Sequence, residues 1–524
     1  MPSPRNGIRN YQALFPTCHC DRPFLSLRGT KCRSNPQKHP QLTLGLEIVY
    51  NDLCKVDKRH RVKEIQGLGR IFNPSSLAVV GASKDERKSG RRFLGGLIDN
   101  GFKGKLYPVN PKESEIMGLR SYPSVLDIPG EVDLAIVTVP AKTVPQVIAE
   151  CSQKGVRFAV VHSVGFSELG TEGKELEEEM LKFARQGSTR IIGPNCMGFY
   201  SPEASINTIT EQAVSKDETG SVAFAGQSGW VTENIIQMGY ERGLRFSKVV
   251  NIGNQSDLTI EDFLEYFAHD ANTKIIAFYI EGIKRGREFF RLAKQISKKK
   301  PIIVWKAGRS EAGVRAAASH TGSLAGDNVV FDTALAQSGI VIARNLEELI
   351  DLVVGFTCPV LPRGDKVGLL TEAGGGAVAS ADVTEILGLK IPTLSAETQR
   401  ELVNKLKGVI PPFSRPINPV DLVWAPIGSS DSLYLECTGI MLKDDIDAIV
   451  LVAYASLDDY FTAELVTLRN KMGKPIFVIP GHPGEHRGGM SLLTKNGIPS
   501  FTIPERAAKA LSAMVSYSNY RHQS

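Results

Sequence analysis

The sequence has little of what would place it in a special structural class. Its 524 residues contain only eight cysteines, too few and too scattered for a disulfide-stapled fold, and this favours a reducing cytoplasm. No uninterrupted apolar run reaches about 18 residues, so the sequence predicts no membrane-spanning helix. Glycine (49) and proline (29) follow no three-residue period, which excludes collagen. With 42% hydrophobic residues, the composition indicates a globular protein of about three domains.

Excess positive charge is confined to the N-terminus. Residues 1–64 hold 12 basic and 5 acidic residues, whereas the remainder holds 50 basic and 51 acidic residues, so we expect no nucleic-acid groove. We interpret residues 1–65 as a disordered basic leader. Its composition resembles an organellar presequence, but no amphipathic helix supports that alternative. Its Cys18-His19-Cys20 segment lacks a second ligand pair at zinc-site spacing, so no metal site is predicted.

From residue 66 onward, short Val/Ile-rich segments alternate with segments of helical length. This pattern predicts α/β domains whose parallel sheets are covered by helices on both faces. Ligands of such folds bind beyond the carboxyl ends of the strands. The first predicted strands are 76–82, 105–109, 133–139, 157–161 and 190–192.

Basic side chains follow three of these strands. The first loop, 83–90, lacks the GxGxxG fingerprint of dinucleotide-binding proteins, but it leads into a helix whose first-turn N–H groups favour an anion. One such loop alone would be interpreted as a solvated surface loop. Three at one sheet edge favour a phosphorylated ligand. The basic residues concerned are Lys84, Arg87, Lys88, Lys112 and Lys142.

Two later segments, 220–244 and 366–389, both read as a strand, a glycine-containing turn and a helix. Glycine permits close approach of a ligand to the backbone, and the helix start offers free N–H donors. One such turn is common in α/β proteins. Two in separate domains suggest one phosphate handled from two sides, since charge on a phosphoryl group needs such donors in the transition state.

His320 is the candidate nucleophile. It lies within 306–326, after a predicted strand at 301–305, and its neighbours are small residues that leave an imidazole accessible. Imidazole is nucleophilic at neutral pH and can carry a phosphoryl group. A structural or helix-capping histidine is the alternative interpretation.

Glu281 is the candidate partner of that histidine. It follows the predicted strand 275–280 at the same sheet edge, and a carboxylate bonded to one ring nitrogen would fix the tautomer of the imidazole. A loop salt bridge with Lys284 or Arg285 is the competing explanation.

Eight segments together resemble one enzyme family. The sequence resembles the α subunit of ADP-forming acyl-CoA synthetases (acetate–CoA ligase type), relatives of succinyl-CoA synthetase, over about residues 66–518, and the SHTGSLAG block is its most specific element. The segments are GASKDERKSG, GFKGKLYPVNPK, IIGPNCMG, AGQSG, YIEGIKRGREF, KAGRSEAGVRAAASHTGSLAG, TEAGGG and NPVDL.

The resemblance implies three doubly wound parallel-sheet domains after the leader. Residues 66–205 would be a Rossmann-like CoA-binding domain, and 206–360 and 361–524 two flavodoxin-like ligase domains. His320 would be the phosphorylated histidine and Glu281 its supporting glutamate. His162, which follows a strand of the first domain, could at most orient CoA.

The resemblance also assigns ligand contacts. One departure is Glu372, which stands where many relatives carry an amide; its acid could repel phosphate or point away. The implied phosphate-binding residues are Gln227, Ser228, Gly229, Gly374, Gly375 and Gly376. The implied CoA contacts are Ser83, Lys84, Arg87, Lys88, Asn110, Lys112, Pro140 and Lys142.

The implied reaction converts acyl-CoA, phosphate and ADP into acid, CoA and ATP, through acyl phosphate and phosphohistidine. No ATP-grasp module is evident, so a separate β subunit is expected to hold nucleotide and Mg²⁺ in a heteromer such as α₂β₂. The rival hypotheses are a regulatory CoA-binding protein, the ligase-like part of a protein acetyltransferase system, and a nucleotide-dependent dehydrogenase; the missing fingerprint disfavours the last.

Overall fold

The computed structural model describes residues 67–210, 218–321, 328–410, 416–423 and 430–523, with backbone only for 317–321 and 328. The predicted leader, 1–65, lies outside the described residues. No helix among those described combines the length and the apolar content needed to cross a bilayer.

The first sheet is parallel and buried on both faces. Its strand order in the described chain is β2-β1-β5-β6-β7. Helix α2 packs on one face, whereas α3 and α4 pack on the other, so the domain is doubly wound as predicted. A short hairpin, β3–β4, lies beside it. The strands are β1 (Ser76–Val80), β2 (Lys105–Val109), β3 (Glu115–Ile116), β4 (Leu119–Arg120), β5 (Leu134–Val137), β6 (Phe158–Val161) and β7 (Arg190–Ile192). The helices are α1 (Gly69–Phe72), α2 (Ser89–Asp99), α3 (Val144–Lys154) and α4 (Thr171–Gln186).

The second sheet carries an antiparallel edge that the sequence pattern did not predict. The order within the described ranges is β14-β13-β12-β10-β11-β8-β9, and β8 and β9 run antiparallel. The chain therefore joins the second sheet from residue 199 onward. The strands are β8 (Phe199–Ser201), β9 (Ile206–Asn207), β10 (Val222–Gly226), β11 (Phe246–Asn251), β12 (Ile275–Ile280), β13 (Ile302–Lys306) and β14 (Val341–Ala343). The helices are α5 (Gly229–Glu241), α6 (Ile260–His269), α7 (Gly286–Ile296), α8 (Glu311–Thr321), α9 (Asn328–Gln337) and α10 (Leu346–Phe356).

The third sheet is parallel, with the order β16-β15-β17-β18 in the described chain. Its core is shared with the second sheet, because α10 and the last helix, α16, pack together between them. The Tyr517 hydroxyl on α16 donates to the Ser297 carbonyl after α7 at 2.6 Å. The strands are β15 (Val367–Thr371), β16 (Val420–Asp421), β17 (Ala448–Ala453) and β18 (Ile476–Pro480). The helices are α11 (Gly374–Ile386), α12 (Ala396–Leu406), α13 (Ser430–Met441), α14 (Asp459–Met472), α15 (Arg487–Lys495) and α16 (Pro504–Gln523).

Candidate functional site

A cavity of about 820 Å³ opens at the carboxyl edge of the first sheet. It is larger than a second cavity, of about 710 Å³, between the second and third sheets. The larger cavity is lined by the loops that follow β1, β2, β5 and β6, which is where ligands of open parallel sheets bind. Among the predicted contacts, those on the lining are Ser83, Arg87, Lys88, Asn110, Lys112 and Pro140.

The other two predicted lysines lie outside this lining. Lys84 forms an ion pair with Glu113 at 2.9 Å, with more than half of the lysine side chain exposed. Lys142 is exposed in the short turn before α3. The structure therefore separates Lys88 and Lys112, which line the cavity, from two lysines that do not.

The start of α2 forms one wall of the cavity, through Ser89 and Gly90. Its N-cap residue, Lys88, makes no side-chain capping hydrogen bond, so the first-turn N–H groups suit an anion. A Cβ on Gly90 would overlap the Gly81 carbonyl oxygen and lie 2.7 Å from its carbon. Glycine at this position therefore allows the helix start to lie against the end of β1.

His162 also lines the cavity. Its Nδ1 lies 2.8 Å from the Cys196 carbonyl oxygen and its Nε2 lies 3.1 Å from the Ser89 hydroxyl. Burial lowers the pKa of this imidazole. Sequence reasoning placed His162 near the ligand, but it could not reveal either partner, because Ser89 and Cys196 are both distant in the chain.

The turn Gln227-Ser228-Gly229 links β10 to α5. The Ser228 hydroxyl caps the helix by accepting from the Val231 N–H at 3.4 Å. The buried Gln227 side chain accepts from the backbone N–H of Gly282, at 3.0 Å, and from that of Glu281. The predicted phosphate turn and the predicted glutamate turn are therefore joined directly.

Glu281 is 92% buried, since only 8% of its surface is exposed. Burial raises the pKa of Tyr279, and the charge of Glu281 and a hydrogen bond to it raise that pKa further. Arg285 forms ion pairs with Asp262 at 2.8 Å and Glu288 at 3.1 Å. Arg285 is therefore paired with these two carboxylates, whereas the competing explanation paired it with Glu281.

Lys306 was not predicted to belong to this edge. It ends β13 beside the end of β12, opposite Ile280, and it is 8% exposed. Burial lowers the pKa of its ammonium group and Arg309 lowers it further, whereas Glu281 and Asp332 act in the opposite direction. A buried lysine among isoleucines and valines gave no distinct sequence signal.

His320 lies in the last turn of α8, and its side chain lies outside the described residues. Helix α8 contacts the 3₁₀ turn Ser167–Leu169 of the first domain. This turn follows Ser163 and Val164, both of which line the first-sheet cavity. The helix that carries His320 therefore lies against the first domain near that cavity.

In the third sheet, Gly374 begins α11, and both Gly374 and Gly375 are exposed. Glu372, just before this turn, is buried at 8% exposure. Burial raises the pKa of its carboxyl, and the charges of Asp431 and Asp421 raise it as well, against a hydrogen bond with Ser430. The acid that departs from the family pattern is therefore held inside the protein.

Among the described residues, no group of three or more His, Cys, Asp or Glu side chains could hold a metal ion.

Comparisons with known proteins bear on this arrangement. The model of a CoA binding domain matches residues 75–202, and that of a succinyl-CoA ligase like flavodoxin domain matches 219–356. The chain is 40% identical over 458 residues to acetate–CoA ligase [ADP-forming] II subunit alpha of Pyrococcus furiosus, covering 86% of this chain and 97% of that protein. It is 36% identical over 471 residues to acetate–CoA ligase [ADP-forming] II of Archaeoglobus fulgidus, covering 88% of this chain and 68% of that protein.

A solved structure is similar over most of its length. The dinucleotide forming acetyl-coenzyme A synthetase 1 of Ca. Korarchaeum cryptofilum, in complex with phosphate and ADP, superposes with a TM-score of 0.77 at 38% identity. The match covers 87% of this chain and 97% of that one.

The sheets and the two family models define a succinyl-CoA ligase-like α/β protein. The chain belongs to the family of ADP-forming acetate–CoA ligases, acid–thiol ligases, and corresponds to their α subunit. The predicted fold class and family are thereby confirmed. The roles of individual site residues remain predictions.

Proposed function

We propose that this chain is the catalytic α subunit of an ADP-forming acyl-CoA synthetase. It converts acyl-CoA and phosphate into acyl phosphate and CoA, and then transfers the phosphoryl group to His320. The observation that carries the proposal is the contact between α8, which bears His320, and the turn Ser167–Leu169 beside the first-sheet cavity. This contact supports a single site formed by the phosphohistidine carrier and the cavity.

CoA occupies the first-sheet cavity. Its phosphates lie against the start of α2, where free N–H groups and the charges of Lys88 and Lys112 stabilise them. Asn110 donates to the Ala82 carbonyl at 2.8 Å and holds the loops after β1 and β2 together. These contacts fix the ligand so that its thioester extends toward the second sheet.

Phosphate binds at the start of α5, at Ser228 and Gly229. A phosphate oxygen attacks the carbonyl carbon of the thioester, the carbon–sulfur bond breaks, and CoA leaves as the thiolate, which takes a proton. The helix start stabilises the negative charge that develops during this attack. Gln227 positions the site by joining this turn to Glu281.

His320 then attacks the phosphorus of the acyl phosphate, and the carboxylate of the acid leaves. Glu281 stabilises the positive charge that forms on the imidazole and holds the tautomer that leaves the other nitrogen free to attack. The second turn, at Gly374 to Gly376, receives the phosphoryl group from the opposite side. Its helix start is uncapped by any side chain.

A partner β subunit of ATP-grasp type completes the reaction by taking the phosphoryl group from His320 to ADP. Two relatives support this part of the proposal. The chain covers 97% of the Pyrococcus furiosus protein, which is named as a subunit, but 68% of the Archaeoglobus fulgidus protein, whose name mentions no subunit. The partner would hold nucleotide and Mg²⁺, and the metal would supply positive charge that neutralises the phosphates. The assembly is a heteromer such as α₂β₂.

Labelling tests the proposal. The purified chain, incubated with acetyl-CoA and radiolabelled phosphate, is expected to acquire acid-labile, base-stable label. His320→Ala should abolish the label, whereas His482→Ala, in a loop of the third domain, should retain it. Glu281→Gln should slow labelling by roughly 10- to 100-fold and leave CoA affinity, measured by calorimetry, unchanged.

Two results would contradict the proposal. Label that persists in His320→Ala would move the nucleophile to another residue. An unmodified chain that binds CoA but acquires no label, even with its β subunit present, would favour a regulatory CoA-binding protein.

A further inference from the structure

His162 connects two parts of the molecule that are far apart in sequence. It follows β6, and both of its ring nitrogens have polar partners: Nδ1 the Cys196 carbonyl at 2.8 Å, and Nε2 the Ser89 hydroxyl at 3.1 Å. The ring edge also packs against Phe93, with centroids 5.0 Å apart. These three contacts leave the imidazole one orientation.

The partners determine which nitrogen carries the proton. A carbonyl oxygen can only accept, so Nδ1 is the protonated nitrogen and donates to Cys196. The lone pair of Nε2 then accepts the hydroxyl proton of Ser89. Burial, which lowers the pKa of His162, favours this neutral form.

One end of this link lies in the first-sheet cavity. Ser89 is the first residue of α2 and lines the cavity together with His162. A ligand phosphate at this helix start would lie beside the Ser89 hydroxyl. Ser89 therefore marks the part of the site where the phosphates of CoA would bind.

The other end leads to the phosphate turn. The residue after Cys196, Met197, donates its N–H to the Asn251 side chain at 2.7 Å. Asn251 is fully buried and donates in turn to the Gly226 carbonyl at 2.9 Å. Gly226 ends β10 immediately before Gln227, Ser228 and Gly229. Hydrogen bonds and the peptide group between Cys196 and Met197 therefore link Ser89 of α2 to the residue that precedes the phosphate turn.

We propose that His162 is a positioning residue, which holds the CoA-side helix start in register with the phosphate-side turn so that thioester and phosphate meet. The proposal rests on the function proposed above. Reacting atoms must lie about 3–3.5 Å apart, and a misplacement of about 1 Å can cost roughly 100-fold in rate. Loss of His162 should therefore slow the chemical step more than it weakens CoA binding.

The experiment compares variants of the full chain. His162→Ala should lower the rate of phosphate labelling from acetyl-CoA by roughly 100-fold, while the CoA dissociation constant changes by less than about threefold. His162→Asn keeps an N–H near the position of Nδ1, so it should recover part of the rate. His269→Ala is the matched control and should be unaffected, since it removes an exposed histidine whose Nδ1 lies 2.8 Å from the Glu265 carbonyl of its own helix.

A double-mutant cycle tests the hydrogen bond between His162 and Ser89 itself. Its result does not rest on the stability of a single variant. If His162 acts through Ser89, then Ser89→Ala and His162→Ala should not multiply in their effects, and the double variant should be about as slow as the slower single variant. Multiplying effects, or an unchanged rate in His162→Ala, would overturn the proposal. Equal loss of rate, CoA binding and thermal stability would show a merely structural histidine.

The two proposals fail in different ways. If the unmodified chain acquires label and His162→Ala labels at the same rate, only the positioning role is wrong. If the unmodified chain with its β subunit acquires none, the proposed function is wrong, and the positioning role is overturned with it.

Discussion

Gln227 holds Glu281 by its backbone. The Gln227 side-chain carbonyl, at the end of β10, accepts from the N–H groups of Glu281 and Gly282, at the end of β12. Both side chains are more than nine-tenths buried. Adjacent parallel strands thus bring together an amide and an acid that are 54 residues apart, and the geometry of the two turns cannot vary independently.

Replacement of Gln227 by Ala should therefore destabilise the protein. The buried N–H of Glu281 and the half-buried N–H of Gly282 would lose their acceptor, which costs about 1–3 kcal/mol, and the Glu281 turn would be free to shift. Urea unfolding should show a lower midpoint, and phosphate labelling should slow. Gln237→Ala, at a half-exposed position of α5, is the control. Unchanged stability in Gln227→Ala would show that water or another group replaces the amide.

Charge reversal should distinguish the lysines that line the cavity from the others. Lys112→Glu should raise the CoA dissociation constant by about tenfold or more, because Lys112 lies on the cavity lining. The effect should grow at low salt, where charge is less screened. Lys142→Glu makes the same change in net charge outside the lining and should have a smaller effect. Equal losses of CoA affinity in the two variants, measured by calorimetry, would show that CoA does not bind beside Lys112.

Gly90→Ala should both destabilise the first domain and weaken CoA binding. The new methyl group would overlap the backbone at Gly81, and neither strand β1 nor helix α2 can yield without loss of packing, at a cost of about 1–3 kcal/mol. Gly286→Ala, at the start of α7 with no atom within 4 Å of the added carbon, is the matched control. Thermal melting with and without CoA measures both effects. A Gly90→Ala variant as stable as Gly286→Ala would contradict the close approach of α2 to the end of β1.

Glu372 should make stability depend on pH. Because burial raises the pKa of its carboxyl above the ordinary value of 4.5, the folded protein holds this proton more tightly than the unfolded chain does. Stability should therefore fall as pH rises from the ordinary value through the raised one, and stay lower above it. Glu372→Gln removes this ionisation.

Glu372→Gln should thus melt at a higher temperature than the unmodified chain at about pH 7, and the gain should vanish at about pH 4. Glu485→Gln, at an exposed position of the same domain, controls for the loss of one charge. Lower stability of Glu372→Gln at neutral pH would show that the ionised carboxylate is favourably bonded in the folded protein.

Local pattern was sufficient for the long central strands of the sheets, but not for their edges. The strand predicted at 275–280 has those bounds in the structure, because a continuous run of large apolar residues must be buried on both faces. The same reasoning missed the edge strand Phe199–Ser201. This strand is three residues long and is defined by its pairing with Val249 and Val250, which no local signal announces.

The sequence by itself determined the class of the protein and predicted the segments for which we propose a chemical role: alternating strands and helices, glycine turns before helices, and the SHTGSLAG block. Each is encoded within a few neighbouring residues. Only the tertiary structure decided that Lys112 lines the cavity and Lys142 does not, that His162 bonds to Ser89 and Cys196, and that the Glu372 side chain is buried. Such relations depend on the order of strands and the packing of sheets, which bring together residues tens of positions apart and which local periodicity leaves open.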